Sequence, residues 1–370
     1  MAIFPWLAIF DLQNLYSYVK KPLKCTEEIF DDYTIVVPVY NNPSYIKNLD
    51  WLRKYKDKVV IASISNQSKE MDDFLYKLKI EGFRLSILDS SSSTLSYPAT
   101  YYSIVKRTIV LELYDSLRKF SISDVKTKYV CVLDGDSRPE TDIGKAVAVM
   151  ERQGLDVASV KVLPSSKSNF IERMQWIEYN IAMRTRHYLP WLTSGACCIG
   201  KTSVFKEIMQ THSLYFSGGD AEIGILARMM KKKIGFIDFK VFTIVPNTLG
   251  KWFKQRINWF GGNFRISVIN FDKYLTSPIF LTYVLGIVYL LLPLKWYELF
   301  LDLWLIPLML LLYIPITFIN WPVRDRYLFL FPLYGGFQAL VLTILGFFRY
   351  FQWLIKYKKF GRISSKRPDK

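Results

Sequence analysis

Two aspartates stand two residues apart, directly after a run of apolar residues. The run is Val130–Leu133, and Asp134 and Asp136 follow it with Gly135 between them. A short, wholly apolar run is typical of a buried strand in a parallel sheet. Two carboxylates at the end of such a strand can share one divalent cation, because Mg²⁺ and Mn²⁺ prefer carboxylate and phosphate oxygens. The pattern therefore predicts a metal site at Asp136, although acidic pairs are also common in plain turns.

Asp220 is the candidate for a general base. The segment Gly218–Glu222 opens a predicted helix that runs to Lys233. A carboxylate in this place could take a proton from a hydroxyl group that lies within hydrogen-bond distance. The alternative is structural, because the helix dipole favours an acidic residue in the first turn without any catalytic role.

A cation, an amide and an aromatic ring fall close together in Gln255–Trp259. Arg256 can face a pyrophosphate, and Trp259 can stack on the face of a sugar. The alternative is a helix on a membrane surface, where Trp and Arg are common. Lys106 or Arg107 could add positive charge near a phosphate, or these two residues only form the solvated face of a helix.

The segment Gly195–Thr202 matches G-x-x-x-x-G-K-[ST], the pattern of a phosphate-binding P-loop. A P-loop follows a strong strand, whereas the residues before Gly195 include Pro190 and form a poor one. A P-loop nucleotide triphosphatase is therefore an alternative function and not the main prediction.

The elements that must position these residues alternate between strand and helix patterns. Short β-branched apolar runs predict strands at 34–39, 58–65, 83–88, 130–133 and 157–163. Helical patterns fall at 71–80, 101–120, 143–153 and 169–188. This alternation indicates βαβ units and an α/β fold with a mostly parallel sheet. Ligands bind such sheets at the carboxyl ends of the strands, where Asp134 and Asp136 lie.

The last part of the chain has a different composition. Residues 279–348 are almost continuously apolar, with candidate spans at 278–294, 296–320 and 328–348. We therefore predict transmembrane helices over 277–350, after interfacial amphipathic helices over 247–276. Residues 1–30 are predicted to form a membrane-surface segment.

The net charge of +17 lies partly in a basic tail at 351–370, which suits an anionic membrane face. Nucleic acid is not a predicted partner, because the sequence contains no helix-turn-helix, zinc-finger or RNA-binding signature. Four cysteines without a C-x-x-C pair argue against structural zinc and favour free thiols in a reducing compartment. A cytoplasmic catalytic domain with three crossings would place the tail outside, against the positive-inside tendency.

Six segments together resemble the family 2 glycosyltransferases of the GT-A fold, particularly the membrane-embedded cellulose and hyaluronan synthases. TIVVPVYNN from Thr34 resembles the first strand and turn of the family, and SNQS from Ser65 resembles the D-D/N-G-S segment. LDGDS is similar to the donor-binding D-x-D, and SGACCIGKTSVF to the acceptor-side S-G-A segment. GGDAEIGIL resembles the E-D-x-x-L helix, and QRINW the Q-x-x-R-W box.

The resemblance implies roles for individual residues. Asp220 takes the place of the catalytic base, and a Mg²⁺ or Mn²⁺ ion is implied at Asp136. The donor-binding residues, including the cation considered above, are Pro38, Tyr40, Asn66, Lys106, Asp134 and Asp136. The acceptor-binding residues are Ser194, Gly195, Gln255, Arg256 and Trp259.

The implied fold is a GT-A domain over 31–246, followed by the transmembrane helical region. The implied function is a membrane-bound, multi-pass, inverting glycosyltransferase whose catalytic domain faces the cytoplasm. It would move a sugar from a nucleotide-sugar donor, a UDP-sugar first of all, to a polysaccharide or a lipid-linked acceptor. Asn258 stands where the family has Arg, which predicts few additions per encounter. A homo-oligomer and a non-catalytic membrane scaffold with a degenerate transferase domain both stay open.

Overall fold

A computed structural model gives the fold of most of the chain. It describes residues 15–39, 42–65, 68–88, 118, 121–212, 218–269, 302–304, 307, 311, 314–315 and 317–357. The described residues fall into two compact units. The sheet unit contains residues 23–162 and 190–243, and the helical unit contains residues 15–22, 163–189 and 244–357. The domain boundaries inferred from the sequence stay predictions.

The sheet unit is built on one mixed sheet with the strand order β3-β2-β1-β4-β7-β6-β8-β5. The strands are β1 Tyr33–Pro38, β2 Val59–Ile64, β3 Arg84–Leu88, β4 Tyr129–Leu133, β5 Ser137–Pro139, β6 Val157–Pro164, β7 Cys197–Lys201 and β8 Ile234–Thr243. The five predicted strands are confirmed as β1, β2, β3, β4 and β6. Every residue of β1 and β4 is buried, as expected for a parallel strand covered on both faces.

The sheet is parallel only in part. Strands β3, β2, β1 and β4 run parallel to one another, whereas β7 runs antiparallel to both β4 and β6, and β5 runs antiparallel to β8. The expectation of a mostly parallel sheet is therefore wrong for the second half. A helix, Phe170–Tyr188, lies between β6 and β7 in the chain, but β7 pairs antiparallel to β6, so these elements do not form a βαβ unit.

Several of the helices begin where a polar side chain caps the first backbone amides. The helices are α1 Tyr16–Val19, α2 Leu49–Arg53, α3 Lys69–Ile80, α4 Ile143–Gln153, α5 Phe170–Tyr188, α6 Thr202–Thr211, α7 Gly219–Met229, α8 Leu249–Ile269, α9 Phe331–Phe337 and α10 Thr343–Tyr357. Ser68 caps α3 by accepting from the Met71 amide at 3.2 Å. Asp142 caps α4, which ends at the left-handed Gly154 with φ of 61°. The predicted helix at 101–120 lies outside the described residues except for Arg118.

Buried apolar side chains join α6 and α7 to the sheet. Val36 and Val132 from the strands pack with Phe205 and Ile208 of α6 and with Leu226 of α7. Each such side chain contributes about 1.5–3 kcal/mol when it is fully buried. This core fixes the start of α7, where Asp220 lies, relative to the end of β4, where Asp134 lies.

The helical unit contains α5, α8, α9 and α10. A π-helical segment at Gln338–Leu342 joins α9 to α10, and a 3₁₀ segment at Arg326–Leu330 leads into α9. Across the described residues, no helix combines the length and the apolar character needed to cross a membrane. The candidate span 278–294 and most of 296–320 lie outside the described residues, as do residues 1–14 and 358–370 of the predicted membrane-surface segment and basic tail. The transmembrane region stays a prediction.

Candidate active site

The Asp134–Asp136 turn joins β4 to β5 at the carboxyl end of β4, as the sequence predicted. Its backbone is held from two sides. The Gly135 carbonyl accepts hydrogen bonds from the amides of Lys47 and Asn48, at 2.7 and 3.2 Å. The Asp134 amide donates to the carbonyl of Ala196 at 3.2 Å. The two carboxylates therefore lie on a fixed turn and not on a free loop.

The Asp136 carboxyl group is poised to change charge near neutral pH. Burial, and then the negative charge of Asp134, raise its pKa to about 6. The hydroxyl groups of Ser137 and Thr243 donate to its Oδ1 at 3.2 and 3.4 Å and act in the opposite direction. A cation beside this carboxylate would offset the cost of its burial, which is the chemistry of a metal ligand.

The Ser194–Cys197 turn brings the catalytic-base candidate to the same edge of the sheet. Ser194 and Cys197 form an antiparallel bridge that closes the turn before β7. The Gly195 amide donates to Oδ2 of Asp220 at 2.8 Å. Within this turn, the Ala196 carbonyl accepts a hydrogen bond from the Asp134 turn, and the Gly195 amide holds the carboxylate of Asp220.

Buried groups contact the first turn of α7 and fix its position. Gly218 precedes the helix with φ of 96°, a left-handed conformation that favours glycine. His212 Nε2 donates to the carbonyl of Gly219 at 2.8 Å and lies 3.8 Å from the Glu222 carboxylate, and both side chains are fully buried. Gly224 lies so close to Trp191 that a Cβ there would fall 1.7 Å from its carbonyl oxygen. These contacts set the direction in which Asp220 points.

Arg118 joins the Asp134 turn to the Gly195 turn, and it was not among the site residues predicted from the sequence. Its side chain is only 6% exposed, and Nη2 donates to Asp134 Oδ1 at 3.1 Å and to the Gly195 carbonyl at 3.4 Å. The sequence had suggested Lys106 or Arg107 for this cation. The sequence contained a signal, because the apolar residues Ile122 and Val125 follow Arg118 at the i+4 and i+7 positions, and both are buried.

The P-loop alternative is wrong. Residues Cys197–Lys201 form strand β7, paired with β4, where a P-loop would form a phosphate-binding loop. Lys201 donates to Asp156 at 2.9 Å. Gly200 makes room for a side chain of the core, since a Cβ there would lie 2.2 Å from the ring of Phe205.

Of the four predicted donor-binding residues other than the two aspartates, the structure describes one. Pro38 lies buried at the end of β1, at the same edge of the sheet as the end of β4. Tyr40, Asn66 and Lys106 lie outside the described residues, so their assignment stays a prediction.

The three acceptor-side residues of the QRINW segment lie on α8, in the helical unit. Arg256 is 1% exposed, donates to Glu178 Oε2 at 2.7 Å, and stacks 4.2 Å from the ring centre of Trp259. Glu178 also accepts from the Tyr334 hydroxyl at 2.8 Å. In this arrangement Arg256 is the cation of a buried ion pair. Gln255 is half-buried and Trp259 is 40% exposed, so their roles, like that of Arg256, stay predictions.

The carboxylates fit a divalent cation that also binds substrate. Within the described part of the chain, no group of three His, Cys, Asp or Glu side chains could hold a metal ion. Mg²⁺ and Mn²⁺ are commonly held by one or two carboxylates plus phosphate oxygens and water. Asp136, with Asp134 beside it, could supply the carboxylates of that donor set.

The comparison with protein families decides the family. The model of "Glycosyl transferase family group 2" matches residues 129–355, which is more than half of the chain. The chain belongs to this family. The match includes Asp134, Asp136, Asp220 and the QRINW segment, so the resemblance inferred from the sequence is confirmed at the level of the family. The narrower likeness to cellulose and hyaluronan synthases stays a prediction. No curated protein matches the glycosyltransferase by sequence.

Solved structures show the fold of the glycosyltransferase. The mannosyltransferase PcManGT from Pyrobaculum calidifontis, in complex with GDP-Man and Mn²⁺, is similar over 94% of this chain and 96% of its own, with 13% identity and a TM-score of 0.58. TarS 1–349 from S. aureus is similar over 87% of this chain and 91% of its own, with 11% identity and a TM-score of 0.44. The first likeness confirms the α/β, GT-A-like fold.

Replacing Arg118 with methionine should lower transfer by about 10²-fold, because misplaced reacting groups cost rate on that scale. The change also removes the cation beside Asp134. The negative charge of Asp134 then acts more strongly on Asp136, so the pKa of Asp136 should rise and the pH at which Mn²⁺ supports activity should move upward.

Rate and pH profile should be measured for Arg118→Met, Arg118→Lys and the control Arg84→Met, which changes an exposed arginine of β3. The lysine variant should recover part of the rate, and the control should match the wild type. A slower Arg118→Met variant with an unmoved pH profile would contradict the link to the aspartate turn.

Replacing Glu178 with glutamine should destabilise the helical unit, because the guanidinium of Arg256 would stay buried without its anion. Loss of one partner of a buried pair costs about 3–5 kcal/mol. The melting temperature of the glycosyltransferase should therefore fall by several degrees. Glu207→Gln removes an exposed partner of Lys232 and is the matched control, which should not shift the melting temperature. Equal shifts for both variants would contradict the structural role of the Glu178–Arg256 pair.

Proposed function

We propose that this glycosyltransferase is a membrane-bound, inverting enzyme that moves a sugar from a nucleotide-sugar donor to a polysaccharide or a lipid-linked acceptor. One observation carries the proposal. The Asp220 carboxylate, the Ser194–Cys197 turn and the Asp134–Asp136 turn are joined by direct hydrogen bonds, with Arg118 bridging the two turns. The hydrogen bonds thus hold the proposed base and the carboxylate pair proposed to bind the metal together at one edge of the sheet.

Asp220 is the proposed base. The Gly195 amide holds Oδ2, and we assign the proton transfer from the acceptor hydroxyl to Oδ1. The acceptor oxygen forms a bond to the anomeric carbon as the bond from that carbon to the nucleoside diphosphate breaks, and the hydroxyl proton moves to Asp220. A single displacement of this kind inverts the anomeric centre.

The Asp134–Asp136 turn is the proposed site for the donor pyrophosphate and its cation. When bound, Mg²⁺ or Mn²⁺ supplies positive charge that stabilises the leaving nucleoside diphosphate. Asp136 would hold this ion, and Arg118 limits the negative charge that Asp134 adds to the site. PcManGT, the similar structure, was solved with GDP-Man and Mn²⁺, which supports a nucleotide-sugar donor and a divalent cation here.

The membrane assignment rests on the sequence. The apolar residues 277–350 and the basic tail support a multi-pass protein whose catalytic domain faces the cytoplasm, where nucleotide sugars are made. Anchorage of this kind would hold the enzyme close to a lipid-linked acceptor or to a growing polysaccharide.

A donor screen with the purified full chain tests the function. Release of nucleoside diphosphate should be measured for UDP- and GDP-sugars, with Mn²⁺, with Mg²⁺ and with EDTA. We expect release of nucleoside diphosphate from one donor class, with UDP-sugars the favoured candidate, and we expect this release to be lost in EDTA. A chain that binds and turns over none of these donors would instead support the non-catalytic scaffold.

A further inference from the structure

Asn48 contacts the Asp134–Asp136 turn, and its side chain is buried, with the residue only 5% exposed. It directly precedes α2, a position where asparagine commonly caps a helix by accepting a hydrogen bond from one of the first amides. In this structure the Asn48 side chain makes no such capping bond. The start of α2 therefore does not account for this buried amide group.

The side chain of Asn48 instead holds the backbone on both sides of Asp136. Its Nδ2 donates to the carbonyl of Ser137 and, at 3.3 Å, to the carbonyl of Asp134. Both partners are acceptors, so the two N–H groups of the amide match them, whereas a carbonyl or carboxylate oxygen in the same place would not. One side chain thus links the backbone before Asp136 to the backbone after it.

Backbone hydrogen bonds complete the contact between the turn and the segment that ends at Asn48. The Gly135 carbonyl accepts from the amides of Lys47 and Asn48, at 2.7 and 3.2 Å. The Ser137 amide donates to the carbonyl of Asp134 at 3.0 Å and closes the turn. The carbonyls of Asp134, Gly135 and Ser137 all accept hydrogen bonds from this segment, so the segment fixes the path of the turn.

We propose that Asn48 is a positioning residue, whose amide holds the Asp134–Asp136 turn in the conformation that binds the divalent cation. The proposal rests on the proposed function, because it assigns a role at the same metal site. Asn48 acts through the turn and not by touching the cation. When a turn leaves its binding conformation part of the time, the apparent affinity falls by the fraction of molecules that stay competent. Asn48 therefore sets the affinity for the cation and not the rate of the saturated enzyme.

Asn48→Leu removes the amide and keeps a side chain of similar size. We expect the affinity of the purified full chain for Mn²⁺, measured by electron paramagnetic resonance of the free ion, to fall about tenfold, the scale of one or two lost hydrogen bonds. The Mn²⁺ concentration for half-maximal transfer should rise by a similar factor. The rate at saturating Mn²⁺ and donor should stay within about twofold of the wild type, because the bound cation orders the turn again. A lower saturated rate with unchanged Mn²⁺ affinity would overturn the assignment.

Hydrogen exchange in EDTA reports on the turn without any ligand. The Ser137 amide, which is held by the Asp134 carbonyl, should exchange several-fold faster in Asn48→Leu than in the wild type. Asn48→Ala removes the same amide without the bulk of leucine, and it should give the same faster exchange and weaker Mn²⁺ affinity. Exchange at the wild-type rate in both variants would overturn the positioning role.

Thr127→Val is the matched control, because it also replaces a hydrogen-bonding side chain of the sheet unit with an apolar one of similar shape. Thr127 Oγ1 lies 2.9 Å from the Tyr129 carbonyl oxygen and 2.9 Å from the Thr34 hydroxyl oxygen. These contacts are at the opposite end of β4 from the aspartates. The control should lower the melting temperature and leave Mn²⁺ affinity unchanged. Equal losses of Mn²⁺ affinity in Thr127→Val and Asn48→Leu would make Asn48 a general stabiliser of the fold and overturn its positioning role.

The same measurements separate failure of the positioning role from failure of the proposed function. A wild-type chain that binds no Mn²⁺ would count against the proposed metal site, and so also against a role for Asn48 there. A wild-type chain that binds Mn²⁺, together with an Asn48→Leu variant that binds it equally well, would overturn the role of Asn48 alone.

Discussion

Asp220→Asn should lower sugar transfer by about 10²–10⁴-fold, the usual contribution of a positioned base. The change is nearly isosteric. The asparagine oxygen can still accept the hydrogen bond that the Gly195 amide now donates to Oδ2 at 2.8 Å. The turn before β7 and the start of α7 should therefore keep their places, and only the ability to take a proton is lost.

The measurement separates binding from chemistry. Donor affinity in Mn²⁺ should stay close to that of the wild type, while the rate at saturating donor falls. Asp57→Asn is the control, since Asp57 is an exposed residue of the same unit and the chemical change is the same. A variant that loses donor affinity but transfers at the wild-type rate at saturating donor would make Asp220 a binding residue.

Local patterns were sufficient for the parallel half of the sheet and for the carboxylates. Strands β1, β2 and β4 are short, β-branched and buried, and a strand covered on both faces leaves that pattern in its own residues. The aspartates follow β4 directly, so their place at the edge of the sheet follows from the strand. The acidic first turn indicated that Asp220 lies at the start of a helix, whereas its role as the base was implied by the family resemblance.

Local sequence patterns could not predict the contacts that complete the site. Gly195 and Asp220 are 25 residues apart in the chain, and Arg118 and Asp134 are 16 apart. No periodicity encodes such a contact, because it depends on where the sheet brings separate turns. The antiparallel strand β7 was not predicted for a related reason. Gly200 and Lys201 match a phosphate-binding sequence pattern, but in the structure Gly200 makes room for core packing and Lys201 forms an ion pair.

For Arg256, the sequence alone could not separate a role in ligand binding from a role in packing. A cation next to an aromatic ring is compatible with a ligand site and with a packed helix, and the sequence holds no signal that separates the two. The structure adds Glu178, 78 residues earlier, which pairs with Arg256 at 2.7 Å, while the acceptor-binding role of Arg256 stays a prediction. A buried cation needs such an anion, and its partner lies on a different helix.

Asp136→Asn should nearly abolish transfer, by about 10³-fold or more, since a bound cation stabilises a leaving pyrophosphate by several kcal/mol. Asparagine can still accept from Ser137 and Thr243, which now donate to Oδ1 of Asp136. The fold of the turn should survive, and the charge that holds the cation is what disappears. Donor binding in Mn²⁺ should weaken along with the rate, unlike in Asp220→Asn.

The pH dependence gives this prediction its sharpest form. Burial and the charge of Asp134 raise the pKa of Asp136 to about 6, so a proton competes with the cation below that pH. Only the deprotonated carboxylate binds a metal. Mn²⁺-dependent donor binding of the wild type should therefore rise from pH 5 to pH 7 and then level off, whereas the residual binding of Asp136→Asn should lack this rise. Glu140→Gln removes one negative charge from an exposed residue after β5 and should leave the wild-type profile unchanged. Full activity in EDTA, or Mn²⁺ affinity that increases as the pH falls, would remove Asp136 as the metal ligand.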